Sequence, residues 1–179
     1  SYEATASGTL ANGDTVIVNA DGTVSAVAGS GATESLGADS EFEDGNAMRG
    51  VKGCYDTNTD RVVITYKEST DNYVVATVGQ VSGTSITWGA ETRIGTQHSN
   101  NPDICFDSTT NKVVVFYRES ASVGTDYGYC AVGTVTGGGT NTISFGTTVS
   151  VISSAIRYSS VIYYASTNKS VFLWKEDGS

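Results

Sequence analysis

Asp56, Asn58 and Asp60 are the residues whose types and spacing come closest to a metal site. Three oxygen-bearing side chains at alternate positions can converge on a hard cation such as calcium. The pattern weakens in the similar segment that starts at Asp107, and a third such segment has Ala165 in the first position. A turn held by Asx hydrogen bonds to the backbone explains the same residues. We therefore expect a structural turn rather than a metal site, and no cofactor. Asp56, Asn58 and Asp60 are only weak candidates for metal ligands.

General acid–base or nucleophilic chemistry has little support in the chain. His98 is the only histidine and lies in a polar loop, where it is expected to be solvated. Glu68, Glu119 and Glu176 recur, each directly after a Lys or Arg, so that one acid falls in each similar segment. A glycosidase instead needs two carboxylates roughly 5–9 Å apart at one site. We predict surface charge pairs or contacts between segments, no catalytic residue and no enzyme, and we identify no ligand-binding residue.

The three cysteines show neither a disulfide nor a zinc pattern. Cys54 and Cys105 occupy the same place in successive segments, which makes a bond between them awkward. Cys130 is expected two strands from Cys105 in one sheet, also a poor disulfide geometry. We expect three buried free thiols, which favours assembly in a reducing cytoplasm.

These residues belong to a tandem repeat of about 50 residues. Residues 54–69 align with 105–120 without a gap, and the match resumes after a loop, with 78–83 over 132–137 and 86–89 over 143–146. A third repeat continues from Val161 to Glu176. Each repeat predicts a short first strand, an Asp/Asn/Thr turn, a β-branched second strand, a polar loop, a long third strand, a Gly turn and a last strand.

Four antiparallel strands per repeat at this period are typical of a β-propeller blade. Along the second strand, both alternating sets of side chains are apolar, as in a sheet that is covered on both faces. We therefore predict an all-β fold in which residues 47–179 form about two and a half blades of a partial propeller. A ring needs four to eight blades. This predicts a truncated piece of a longer chain; the alternative is a protomer that completes its sheets with another copy.

Residues 1–46 do not match the repeat. Asn12-Gly13 and Asp21-Gly22 flank a β-branched stretch, and such dipeptides favour tight hairpin turns. The stretch from Ala28 to Asn46 has the Gly, Ala, Ser and acidic composition of a linker. We predict a small β-hairpin attachment segment followed by a linker. The alternative is an extra strand that caps the edge of the propeller.

The charge of the chain limits its partners. Nineteen acidic against ten basic residues give a net charge of −9. Binding to phosphate backbones depends on Lys and Arg, so we expect no nucleic-acid partner. No run approaches the roughly 20 apolar residues of a membrane span, and we expect no membrane insertion.

The repeat resembles the tandem propeller-like repeats of tail and fibre proteins from marine tailed bacteriophages. The resemblance is carried by residues 56–66 and 107–117, with their Asp, Val-Val and Tyr positions, and by the Val-Gly-x-Val and Ile-(Ser/Thr)-(Trp/Phe)-Gly elements of 78–89 and 132–146. It implies a virion protein, assembled in the host cytoplasm, that serves as a fibre, nozzle or adhesin. Its implied partners are other virion proteins, copies of itself in a homo-oligomer, and a host surface glycan or protein.

Two other functions stay open at this point. One is a secreted or surface propeller lectin, located outside the cell, whose pockets between blades bind carbohydrate. The other is a propeller glycoside hydrolase whose site residues lie outside this segment.

Overall fold

The computed structural model describes residues 5–11, 15–26, 37, 39–42, 48–122 and 125–177. The chain divides into two compact units, Ser1–Leu36 and Gly37–Ser179. Within the described residues the secondary structure consists of fourteen β-strands without a helix, which confirms the predicted all-β class. This part of the chain thus contains no helix able to span a membrane.

The first unit contains the predicted hairpin at Asp21-Gly22. Strand β1 (Val16–Val18) pairs antiparallel with β2 (Val24–Ala26). Gly22 has a φ of 81°, and the carboxylate of Asp21 accepts hydrogen bonds from the Thr23 N–H (3.0 Å) and hydroxyl (2.7 Å). These bonds lower the pKa of Asp21. The predicted Asn12-Gly13 turn and most of the predicted linker lie outside the described residues.

The second unit begins at Gly37, ahead of the predicted repeat boundary at residue 47. Its first sheet has the order β3-β4-β5-β6, and β7 also pairs with β5. The strands are β3 (Met48–Asp56), β4 (Arg61–Glu68), β5 (Val74–Ser82), β6 (Ser85–Trp88) and β7 (Thr92–Ile94).

The second sheet repeats this topology, with β8 to β11 in chain order and β12 paired to β10. Its strands are β8 (Ser99–Asp107), β9 (Lys112–Ser122), β10 (Thr125–Thr136), β11 (Thr142–Phe145) and β12 (Val149–Ile152). The third sheet is the pair β13 (Ile156–Tyr164) and β14 (Lys169–Glu176). All pairings within the three sheets are antiparallel.

Each complete sheet differs from the predicted four strands because its last strand is broken in two. The break in the first sheet starts at Gly89, whose N–H donates to the Val78 carbonyl (2.8 Å). A Cβ on Gly89 would overlap the backbone carbonyl of Asn141, in the β10–β11 turn of the second sheet. The next sheet therefore packs directly on the backbone at this glycine. The predicted short first strand is also wrong, because β3, β8 and β13 have nine residues each.

The three sheets pack face to face in chain order. One apolar cluster joins the first and second sheets, and a second cluster, around Phe116 and Val161, joins the second and third. Val63 points towards the second sheet, whereas its neighbour Ile64 packs on the opposite face with Tyr66. Strands β4 and β9 are thus covered on both faces, as their sequences predicted.

The turn between the first two strands of each repeat ends in a residue with left-handed backbone. These residues are Asp60, Asn111 and Asn168, with φ values of 58°, 55° and 54°. Asp and Asn tolerate this conformation better than other non-glycine residues. This explains why Asp or Asn recurs immediately before the second strand.

The first strand of each repeat contains a β-bulge at the same position. The pairing register shifts at Gly50, Asn101 and Tyr158, which have φ values of 66°, 50° and 55°. Such a φ is unusual for a side chain as large as Tyr158, which is also exposed. The bulge is a regular feature of the repeat that the sequence did not reveal.

Candidate functional site

The predicted Asx turn is present at Asp56. Its Oδ1 accepts hydrogen bonds from the N–H groups of Asn58 (2.8 Å) and Thr59 (3.2 Å), and its Oδ2 accepts one from the Thr59 hydroxyl (2.7 Å). Asp60, at the other end of the turn, accepts a hydrogen bond from the Tyr55 hydroxyl (2.5 Å). The described part of the chain brings no three His, Cys, Asp or Glu side chains together at a position that could hold a metal ion.

The equivalent turn of the second repeat has the same Asx hydrogen bonds and, in addition, contacts the third sheet. Asp107 accepts hydrogen bonds from the Thr109 N–H (2.9 Å) and from the Thr110 N–H and hydroxyl (3.1 and 2.7 Å). The Thr109 hydroxyl in turn lies 2.5 Å from the Tyr163 hydroxyl and donates to Asn168 of the third sheet (2.8 Å). The oxygen-rich turns therefore stabilise loops and contacts between sheets.

The recurring glutamates bind loops. Oε1 of Glu119, which is only 3% exposed, accepts hydrogen bonds from the N–H groups of Thr96 (3.2 Å) and Gln97 (3.0 Å), in the loop that enters the second sheet. Glu176 likewise accepts one from Ser154 (3.3 Å), in the loop that enters the third sheet. Glu68 instead accepts hydrogen bonds from N–H groups of its own β4–β5 loop, which lowers its pKa. Glu119 and Glu176 therefore hold the loops that connect successive sheets.

A buried polar pair lies beneath Gly95. The Tyr117 hydroxyl and Oε2 of Glu119 both lie where a Cβ on Gly95 would be placed. Within the described residues neither atom has a hydrogen-bond partner of normal geometry. Burial, followed by the nearby Glu119 carboxylate, raises the pKa of Tyr117. The hydroxyl therefore keeps its proton at neutral pH.

His98 is exposed as predicted, whereas the prediction of three buried thiols is correct only for Cys105. His98 is exposed and meets the Tyr73 ring edge-on at 5.9 Å. All three cysteines are free thiols, with Cys105 buried and the other two half-buried. Burial raises the pKa of Cys54 to about 12 and that of Cys105 to about 11. These thiols are thus protonated and unreactive at neutral pH.

Arg61 and Asn141 form a buried bridge that sequence reasoning missed. The Arg61 Nε–H donates to Asn141 Oδ1 (2.9 Å), and the Asn141 amide donates to the Thr87 carbonyl (3.1 Å). Arg61 and Asn141 are 7% and 5% exposed. Arg61 also donates to the carbonyls of Thr59 and Asp60 (both 2.9 Å), so its charge is well solvated by protein oxygens. The bridge fixes the second sheet's outer turn against the first sheet.

An open cleft of about 350 Å³ lies at one end of the first sheet. It is lined by Glu68, Tyr73, Glu91 and Arg93 together with polar loop residues. The Arg93 guanidinium stacks over the Tyr73 ring, 2.9 Å from its centroid. Carboxylates, a guanidinium and an aromatic ring in one cleft suit a polar ligand rich in hydroxyl groups.

A second depression, of about 310 Å³, lies between the bulges of the three first strands. Gly50, Asn101 and Tyr158 line it, one from each sheet, together with Lys52, Pro102 and Ser159. The Ser159 hydroxyl donates to the Asn101 carbonyl, which links the second and third sheets here. The recurring bulges therefore converge on one surface.

Comparison of the chain with protein-family models, curated proteins and solved structures finds no match.

Proposed function

We propose that this chain is a structural and recognition component of a phage tail, built from β-propeller blades. The observation that carries the proposal is the stack itself: repeated antiparallel sheets cover each other's apolar faces in chain order. Such sheets cannot bury both faces alone, so the repeat is an element for building larger assemblies.

Blades are the arrangement that best accounts for the contacts between sheets. The first strand β8 contacts β3 of the first sheet and β13 of the third extensively, whereas the outer strands of neighbouring sheets touch less. Sheets that approach most closely at their first strands are arranged as wedges around that side. The bulges at Gly50, Asn101 and Tyr158 then lie on the inner side of the ring.

The resemblance of the repeat to marine phage tail and fibre proteins supplies the biological setting. In that setting the chain acts in the virion after assembly in the host cytoplasm, and its partners are other tail proteins, further copies of itself and a host surface molecule. The recurring acids support a structural role because Asp56, Asp107 and Glu119 stabilise turns and loops.

Immunogold labelling of virions purified from the source of this sequence tests the proposal. Antibodies against the purified chain are expected to label the tail, and antibodies preabsorbed with the same protein serve as the control. Absence of the chain from purified virions, by labelling and by mass spectrometry, would refute the tail assignment.

Carbohydrate binding is the second candidate, favoured by the cleft of Glu68, Tyr73, Glu91 and Arg93. In this case the chain is a lectin, and the cleft carboxylates accept hydrogen bonds from sugar hydroxyls. Binding on a glycan array that is lost in Arg93→Ala, and retained in Lys112→Ala outside the cleft, would support it. Equal binding by both variants would place any glycan site elsewhere.

A further inference from the structure

The stack ends in two exposed apolar faces. We call the outward face of the first sheet, with Tyr55 and Val81, the leading face, and the outward face of the third sheet, with Ile162, Val171 and Leu173, the trailing face. Tyr55 and Val81 are 53% and 54% exposed, and Ile162 and Leu173 are each 52% exposed. Apolar side chains grouped in this way mark an interaction surface.

The same positions are buried wherever a neighbouring sheet is present. Val135 is the equivalent of Val81 in the second repeat, and it is 8% exposed because it packs against the first sheet. Phe116 is the equivalent of Leu173, and it is fully buried against the third sheet. The leading and trailing faces are therefore the two halves of an interface that the protein already makes twice.

The residues before β3 show what the leading face binds. Ser40 donates through its hydroxyl to the Ile86 carbonyl (2.9 Å), just as Thr92 of β7 donates to the equivalent Ile143 carbonyl of the second sheet (3.0 Å). Gly37 lies against the backbone of Thr84 as Gly89 lies against that of Asn141. The described residues of segment 37–42, which are 37 and 39–42, therefore occupy the position of an outer strand from a preceding repeat.

Phe42 completes this equivalence. Its ring lies 5.3 Å from the rings of both Tyr66 and Trp88, on the leading side of the first sheet. Ile94, the equivalent residue of β7, packs in the same way into the cluster that contains Tyr117 of the second sheet. The sequences agree as well, with Gly-Ala-Asp-Ser-Glu-Phe at 37–42 and Gly-Ala-Glu-Thr-Arg-Ile at 89–94. The prediction that residues 1–46 lie outside the repeat, with a linker from Ala28 to Asn46, is therefore wrong for this segment.

The two ends thus supply different strands of one repeat. The third sheet has strands equivalent to the first and second strands of a repeat, whereas segment 37–42 is equivalent to part of the fourth. No described residue fills the third-strand position. Val132 and Val149, which such outer strands would cover, are 45% and 56% exposed.

We propose that the trailing face of one copy of this chain binds the leading face of a second copy, head to tail. The second copy brings its own segment 37–42 to the outer-strand position of the first copy's third sheet. Because the two faces differ, the interface is heterologous, and it leads to a ring or an open chain. The proposal goes beyond the tail assignment and does not depend on it.

Analytical ultracentrifugation of the full chain over a roughly hundredfold range of concentration tests the proposal. The wild type is expected to associate as its concentration rises. Leu173→Asp on the trailing face and Val81→Asp on the leading face are each expected to weaken association on the order of 100-fold, because each places a charge in an apolar interface. Ile17→Asp, at an equally exposed position of the hairpin (53%), is the matched control and is expected to associate as the wild type does.

Mixing the two blocked variants distinguishes head-to-tail binding from other arrangements. The Leu173→Asp chain retains an intact leading face, and the Val81→Asp chain retains an intact trailing face. The mixture is therefore expected to form a 1:1 dimer, although each variant alone is monomeric. Far-ultraviolet circular dichroism confirms that both variants are folded.

Three results would overturn the proposal. A wild type that stays monomeric at every concentration means that another partner, or a further repeat, covers these faces. Association of one blocked variant with itself means that like faces bind each other. Two folded variants that do not bind each other exclude the head-to-tail contact.

Discussion

Replacement of Asn141 tests whether the buried bridge holds the first two sheets together. Asn141→Gly removes the acceptor for the Arg61 Nε–H (2.9 Å) and the donor to the Thr87 carbonyl (3.1 Å). Glycine keeps the backbone conformation available, because Asn141 has a φ of 44°. The substitution thus isolates the contribution of the side chain.

The expected loss of stability follows from the two hydrogen bonds. A hydrogen bond to a charged group contributes about 1.5–3 kcal/mol and a neutral one about 0.5–1.5 kcal/mol. We expect Asn141→Gly to lower the free energy of unfolding by about 2–4 kcal/mol, since Arg61 stays buried without this acceptor. Asn141→Ala is expected to cost about 1–2 kcal/mol more, because alanine is strained in left-handed backbone.

Urea unfolding followed by circular dichroism measures these differences. Asn111→Gly is the matched control, because Asn111 has a similar φ of 55° but an exposed side chain. Its effect is expected to stay within about 0.5 kcal/mol. If Asn141→Gly proves no more destabilising than Asn111→Gly, the bridge does not stabilise the packing of the two sheets and the reasoning fails.

Three further predictions concern packing and titration. Gly89→Ala is expected to destabilise the second unit strongly, because the new Cβ would overlap the Asn141 backbone. Gly146→Ala is expected to be tolerated, since the nearest atom to its Cβ, the Val132 carbonyl oxygen, would be 3.8 Å away. Equal thermal unfolding midpoints of the two variants would contradict this prediction. Phe42→Ala is expected to lower the free energy of unfolding by about 1–3 kcal/mol, whereas Glu41→Ala, at an exposed neighbouring position, is expected to change it by close to zero. Equal stabilities of the two variants in urea unfolding would contradict the packing of segment 37–42 on the first sheet. Above pH 9.0, the usual pKa of a thiol, the unfolded chain releases thiol protons that the folded chain retains. The free energy of unfolding is therefore expected to fall as the pH rises towards the pKa values in the folded chain, which are about 12 for Cys54 and about 11 for Cys105. Urea unfolding at several alkaline pH values should show a shallower decline in the Cys54→Ala/Cys105→Ala variant, and an unchanged slope would refute the assignment.

Much of the repeat could be predicted from the sequence because its signals are local. Alternating apolar residues in β4 and β9 indicated strands covered on both faces, and Asp56 indicated an Asx turn. The broken outer strand could not be predicted, since it depends on the approach of the Asn141 backbone to Gly89. The Arg61–Asn141 bridge was missed for the same reason, because its two residues belong to different sheets.

The composition and periodicity of the chain by themselves determined an all-β protein with repeated sheets, free thiols and an exposed His98. These features could be predicted because strand alternation, turn-forming residues and cysteine spacing are properties of short stretches of sequence. Only the tertiary structure decided which glutamate binds which loop, where the bulges converge and how segment 37–42 packs on the first sheet. Those features depend on which sheet lies next to which. These particular contacts join side chains of different sheets, far apart in the chain, and no local pattern encodes them.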